Sequence, residues 1–265
     1  ARQTAGTVYL MRVPDYNDSG AQSGSEYHQV LTDDGAMPEY EDAAAYLREK
    51  RESITEPGVA VRTIVAEGDR ANAIVNTAAT SNVDIIVMAS HTRTGVSRWL
   101  LGSVAGKVIR QAQSPVLLIR QPSNYAHILI TLDGSALAER VVEPALAVAA
   151  SFGSRITFLQ VDDASEASPN HESADRSEPE SGKESYLERT VSRCEQSGLE
   201  METITLQGPV AEGILSYAAQ NNVDLIAMST NGRSGLRKLI FGSVTEKVMC
   251  NSGGAMLIVG PPEEA

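Results

Sequence analysis

Toward the C-terminus the segment Met228-Ser229-Thr230-Asn231-Gly232-Arg233-Ser234-Gly235 is followed, after six residues, by Gly242-Ser243-Val244. These types and spacings suit an anion. A glycine admits φ > 0 and lets the backbone come close to a ligand. A helix opening at Gly242-Ser243-Val244 points N–H groups outward with no intrahelical partner, and the positive end of its dipole favours a phosphate there. Ser243 adds a hydroxyl and Arg233 a charge. A single Gly-Ser pair would equally well be a plain helix cap.

The pattern occurs twice. Residues 59–122 align with 199–262 at a constant offset of 140, without a gap, and eleven of 26 positions over 83–108 are identical. Gly102-Ser103-Val104 repeats Gly242-Ser243-Val244, and Gly68 repeats Gly208. The chain reads as a tandem duplication joined near Pro122-Ser123-Asn124, with domains 1–122 (copy one) and 123–265 (copy two).

Copy two shows which elements hold these residues. His127 to Leu132 is a β-rich apolar run, hence a buried strand. Asp133-Gly134-Ser135 follows, with Ser135 as N-cap of a helix from Ala136 to Phe152. Gly153 suits the C′ position, and Pro144 is a point for a kink. Further strands are expected over Ile156–Val161, Met201–Leu206, Asp224–Met228 and Ala255–Val259. Helices are expected over Lys183–Ser197, Val210–Asn221 and Ser243–Asn251. Alternating strands and helices imply right-handed crossovers and a parallel sheet covered on both faces.

The spaced glycines, the Asp133-Gly134-Ser135 turn and the Gly-Ser-Val-x-x-Lys-Val segment together resemble the universal stress protein family. Its nucleotide signature is Gly, two residues, Gly, nine residues, Gly, then Ser or Thr. The resemblance implies an α/β fold of two tandem doubly wound parallel five-stranded sheets in order 3-2-1-4-5. It further implies an ATP site, with Mg2+ as counter-ion, in a stress-response regulator. Carried over by position, Asp133 and Val161 would flank adenine and ribose. Met228, Ser229, Gly232, Arg233, Gly242, Ser243 and Val244 would complete the site. The crevice falls where strand order reverses, beyond the carboxyl ends of the strands.

Departures from the signature divide the copies. Copy two has Ser229 at the first glycine. Copy one has Ala89 and Thr92 at the two early glycines and keeps Gly102, Ser103 and Val104, making a weaker second site. β-branched Thr92 disfavours φ > 0. Copy one also starts late. Thr7–Val13 aligns with Arg155–Val161 at an offset of 148, so strand one and nearly all of its helix have no counterpart. A longer parent chain is expected on that ground and on the missing initiator Met.

Composition narrows the partners. Hydrophobic residues at 42% and charged residues at 21% fit a globular chain. Asp and Glu outnumber Lys and Arg 34 to 22, a net charge of −12 with no basic block, which argues against nucleic acid and anionic membranes. No apolar run reaches the roughly 18 residues of a membrane span. Cys194 and Cys250 form no disulfide framework, which points to a reducing, cytoplasmic setting. Residues 14–40 and 162–184 read as acidic loops.

Three functions follow. The first is an ATP-binding regulator with little or no catalysis, since no nucleophile–base pair or metal cluster accompanies the phosphate turn. The second is a scaffold module of the same fold without nucleotide, supported by Ser229, Ala89 and Thr92. The third is an adenine-nucleotide α-hydrolase; Asn251-Ser252-Gly253-Gly254 is similar to a phosphate loop but precedes strand five, and no Walker pattern occurs. The apolar strands Val116–Ile119 and Met256–Val259 would be sheet edges. They are expected to pair antiparallel in an intramolecular pseudo-dimer, with further homo-oligomers open.

Overall fold

The computed structural model describes residues 6–14, 29–31, 40–89, 101–163, 185–230 and 241–261. Compactness divides the chain into Ala1–Asn82 and Val83–Ala265. This division concerns packing, whereas the junction near 122–124 concerns homology.

The first unit contains β1 (Gly6–Arg12), β2 (Gln29–Leu31), α1 (Glu41–Ser53), β3 (Val59–Ala66) and α2 (Arg70–Thr80). β1 pairs parallel with β3, and β2 lies antiparallel on its other side. Strand β2 corrects the reading of 14–40 as loop alone. Helix α1 packs Tyr40, Ala43, Ala44 and Leu47 against Val65 and Leu10. Asp69 caps α2 by accepting from the N–H groups of Ala71 and Asn72, both at 3.1 Å.

The second unit contains β4 (Ile86–Ala89), α3 (Ser103–Gln111), β5 (Val116–Ile119), β6 (His127–Thr131), α4 (Ala136–Glu139), α5 (Val142–Phe152), β7 (Arg155–Asp162), α6 (Tyr186–Cys194), β8 (Met201–Gln207), α7 (Val210–Gln220), β9 (Leu225–Ser229), α8 (Ser243–Asn251) and β10 (Ala255–Val259). Its seven-stranded sheet runs β4-β5-β10-β9-β6-β7-β8. The five strands of copy two therefore stand in the expected order 3-2-1-4-5, all parallel. β6, β9 and β10 are buried along their whole lengths, as strands covered on both faces must be.

The duplication extends to register. β4 pairs Ile86 with Val116, and β9 pairs Ile226 with Met256, the same pair displaced by 140. β1 pairs Gly6 with Val59; shifted by 148 and 140, that pair follows the β7–β8 register, which sets Ile156 against Met201. Gly68 and Gly208, matched in sequence, both hold positive φ, +95° and +130°.

The expected pairing of the two fifth strands is present. β5 and β10 run antiparallel, with Leu118 opposite Met256, Leu117 opposite Leu257 and Val116 opposite Ile258. Exchanging the copies maps Leu117–Leu257 onto itself, so a pseudo-twofold axis passes through this pair. Copy one is thereby split: its fourth and fifth strands complete the sheet of copy two, while its second and third form a separate sheet.

The helix expected over Ala136–Phe152 is two helices, α4 and α5. Pro144 is the third residue of α5, has no N–H for the carbonyl of Arg140, and crowds that carbonyl. The break accordingly falls at Arg140–Val141. Ser135 caps α4 by accepting from Ala138 N–H at 3.1 Å, and Gly153 closes α5 in the left-handed region, both as expected.

Candidate functional site

Strand β9 ends in Met228 and Ser229, and Thr230 follows it; all three are buried. Three bonds fix this end to its neighbours. Thr230 N–H donates to the Val259 carbonyl of β10 at 2.9 Å, Gly242 N–H donates to the Thr230 carbonyl at 2.9 Å, and the Thr245 hydroxyl donates to the Ser229 carbonyl at 2.9 Å. The first turn of α8 is thus tied to the carboxyl end of β9, beside the point where strand order reverses between β6 and β9.

The start of α8 is open. Gly242 is its N-cap, and among the described residues no side chain caps its first N–H groups. Ser243 is exposed and Val244 half-buried. By contrast Asp69, Ser135 and Ser185 each cap their helices with a side-chain oxygen. Gly242 sits at φ −60°, ψ 148°, and Gly102 at φ −57°, ψ 147°, values any residue can adopt. The glycine is therefore not needed for its φ here. At Gly102 a Cβ would meet nothing within 4 Å, so the glycine marks open space. One polar atom near the turn is unsatisfied: the buried Thr230 hydroxyl has no hydrogen-bond partner. Burying a hydroxyl without a partner costs about 1–3 kcal/mol. A ligand oxygen would remove that cost.

The other wall begins at Asp133, half-buried after β6. Its Oδ1 accepts from Ser135 N–H at 2.9 Å, across Gly134 at φ +83°. Val161 lies half-buried near the end of β7, against Gly213 of α7. A Cβ on Gly213 would come within 3.1 Å of it, so the helix approaches this closely because residue 213 is glycine. Tyr186, opening α6, has a buried hydroxyl; burial first, then the charge of Glu139, with a smaller push from Asp133, raises its pKa and keeps it neutral. Gly232, Arg233 and Thr92 lie outside the described residues. Ala89 ends β4 and is exposed, and Ser103 and Val104 open α3 as their counterparts open α8.

Thr230 and Thr245 are the site residues that sequence reasoning missed. Thr230 stood inside the quoted segment, but its burial depends on β10. Thr245 has Ala105 as its counterpart, and that mismatch between otherwise matched Gly-Ser-Val turns was the available signal.

The model of the universal stress protein family matches residues 1–120 and again 124–260. The chain belongs to the universal stress protein family. Curated family members align with it in part. A universal stress protein from Methanocaldococcus jannaschii, MJ0531, is 30% identical over 153 residues, covering 56% of this chain and 89% of that protein. One from Thermus aquaticus is 33% identical over 141 residues, covering 50% and 96%. Among solved structures, a universal stress protein from Archaeoglobus fulgidus superposes with a TM-score of 0.64 at 22% identity, covering 87% of this chain and 84% of that one. A family structure from Pseudomonas aeruginosa gives 0.62 at 16%, covering 96% and 93%. These structural likenesses concern the fold. Among the described residues, no helix is long and apolar enough to cross a membrane.

Proposed function

We propose that this universal stress protein is an adenine-nucleotide-binding regulator with little or no catalysis, its site built by residues 123–265. The observation that carries this reading is the open start of α8 held beside the unsatisfied Thr230 hydroxyl. The amides of Ser243 and Val244, with the Ser243 hydroxyl, would receive phosphate oxygens. Asp133 and Val161 would stand by ribose and adenine, and Met228, Ser229, Gly232 and Arg233 would line the turn between them. Mg2+ would enter on the phosphates of ATP. Residues 1–122 form the degenerate domain, with Gly102, Ser103 and Val104 as what remains of a site. A cytoplasmic setting and higher homo-oligomers belong to the same reading.

Equilibrium dialysis against labelled ATP, with and without Mg2+, tests it. Retention of about one nucleotide per chain is expected, and none at millimolar ATP sinks the reading. Turnover of labelled ATP above that of a Gly242-substituted control would restore a hydrolase.

Ser229, in place of the signature's first glycine, favours one rival: an interaction scaffold without nucleotide. That rival requires a melting temperature unmoved by ATP, whereas a ligand bound to the native state raises it by mass action.

A further inference from the structure

Helix α8 is held at both ends by arginines of copy one. Ahead of its N-terminus, the Arg110 guanidinium of α3 lies over the Phe241 ring, 5.1 Å from the centroid. Phe241 adjoins Gly242. At the other end Arg120, which follows β5, donates to the carbonyls of Met249 and Ser252, in the last turn and C-cap of α8. Such carbonyls have no intrahelical partner and carry the negative end of the dipole, so a cation there is favourable. Arg120 is half-buried, and burial pulls its pKa down.

The mirror-related positions lack this hold. An offset of 140 puts Cys250 at the place of Arg110 and Gly260 at that of Arg120. A Cβ on Gly260 would stand 3.3 Å from the Ala112 carbonyl and 4.0 Å from that of Ile109, the counterparts of Ser252 and Met249. The pseudo-twofold axis thus brings equivalent carbonyls to equivalent places, but only copy one supplies arginine.

We propose that copy one is the positioning subunit of the copy-two phosphate site: Arg110 and Arg120 hold α8 at its two ends and so set its affinity for an anionic ligand. The ligand half of this rests on the nucleotide reading above. Neither arginine need touch the ligand. α8 has nine residues, about 13 Å at 1.5 Å per residue, and a displacement at either end reaches its first amides.

The test uses the full chain with Arg110→Leu, Arg120→Met and Arg120→Lys. Amide hydrogen exchange is followed in ATP-free protein over Glu246–Val248, the first hydrogen-bonded amides of α8, and, as internal control, over Gly106–Val108 of α3. ATP affinity is measured by dialysis. Each neutral variant should speed exchange at the start of α8 and weaken ATP by about threefold to tenfold. Exchange in α3 should be unchanged, and Arg120→Lys should restore part of both effects. Unchanged exchange in α8, or equal acceleration in α3, overturns the hold. Accelerated exchange with wild-type affinity overturns the positioning role. If α8 alone accelerates but even the wild-type chain retains no ATP, the hold stands and the nucleotide reading falls.

Discussion

Strands β4 and β9 carry nearly the same residues, Ile86-Val87-Met88-Ala89 and Ile226-Ala227-Met228-Ser229, and each pairs in the same register with its own fifth strand. Their surroundings differ. β9 lies between β10 and β6 and is buried throughout, whereas β4 is the outer strand of its sheet, with Val87 56% exposed where Ala227 is 0%. The helices that follow begin alike, at uncapped glycines with almost the same dihedrals. A crevice at a switch point needs strand one as its second wall. Copy two has that wall in β6 and the Asp133 turn. Copy one keeps the helix start, and among the described residues no strand pairs with the far side of β4. Local backbone geometry can thus survive duplication after the chemistry around it has changed.

The largest expected difference between the regions is in stability. Ile130 in β6 is fully buried among the core of copy two. Ile130→Ala should cost about 2–5 kcal/mol, through lost transfer energy and the cavity left behind. Val87→Ala in β4 should stay within about 0.5 kcal/mol, as for other exposed positions. Urea unfolding of both variants measures this. Equal losses would mean that β4 is covered in solution and that the comparison fails.

Next comes the site. Gly242→Val should push a branched side chain into the space a phosphate needs and weaken ATP at least tenfold, about 1.4 kcal/mol. Gly102→Val meets open space and should have a smaller effect. Calorimetry on both variants, with folding checked by circular dichroism, decides between the halves. Lost binding in Gly102→Val with binding intact in Gly242→Val would put the site in the wrong copy.

How much of this was legible in the sequence depended on separation along the chain. The resemblance to the universal stress proteins carried the order 3-2-1-4-5, while local periodicity and the two offsets carried the elements themselves, the β5–β10 pairing and the Ser135 and Gly153 caps. Gly242, Ser243 and Val244 were placed at the helix start by their neighbours alone. What stayed hidden is made by distant residues. The unsatisfied Thr230 hydroxyl depends on how β9 meets β10 and α8. Arg120 finds its carbonyls on a helix more than a hundred residues away. β2 spans three residues, too few for an alternating pattern to register. The break before α5 was expected as a kink, because the cost of Pro144 was clear but its placement in the first turn of a new helix was not.

A smaller contrast concerns helix caps at equivalent places. Asp69 caps α2 with its carboxylate, whereas Pro209 stands at the start of α7 and offers no side-chain cap. Asp69→Ala should lower stability by about 1 kcal/mol, and Pro209→Ala by less. Matched losses by chemical denaturation would show that the Asp69 bonds contribute nothing net.

The smallest effect is one of pH, and it belongs to β6 of copy two. His127 begins β6, buried, with polar groups on every side. Thr157 of β7 donates its hydroxyl to Glu202 of β8 at 2.6 Å, so the same oxygen must accept from His127 Nε2–H at 2.8 Å. Nδ1 is then left to accept from Arg155 at 2.9 Å. Protonation would turn Nδ1 into a donor toward the Asn221 carbonyl, 3.1 Å away, and set a positive ring against Arg155. Burial is the largest influence and lowers the pKa of His127 below its ordinary 6.5; Arg155 lowers it further, and the Asn221 carbonyl, Glu202 and Asp224 oppose the shift. A histidine whose folded pKa is depressed gives stability that is present above its unfolded value and lost as pH falls below it. Unfolding free energy should therefore decline on acidification from pH 7.5 to 5.5, with most of the loss below about 6.5. Glu202, also held below its ordinary 4.5, first by the Thr157 hydrogen bond, contributes in a separate window at lower pH. His127→Gln keeps a polar side chain but removes the titration, so its stability should change less with pH over the same interval. Urea titrations of both proteins across that range would show it, and an equal slope in wild type and His127→Gln would assign the acid sensitivity to some other group.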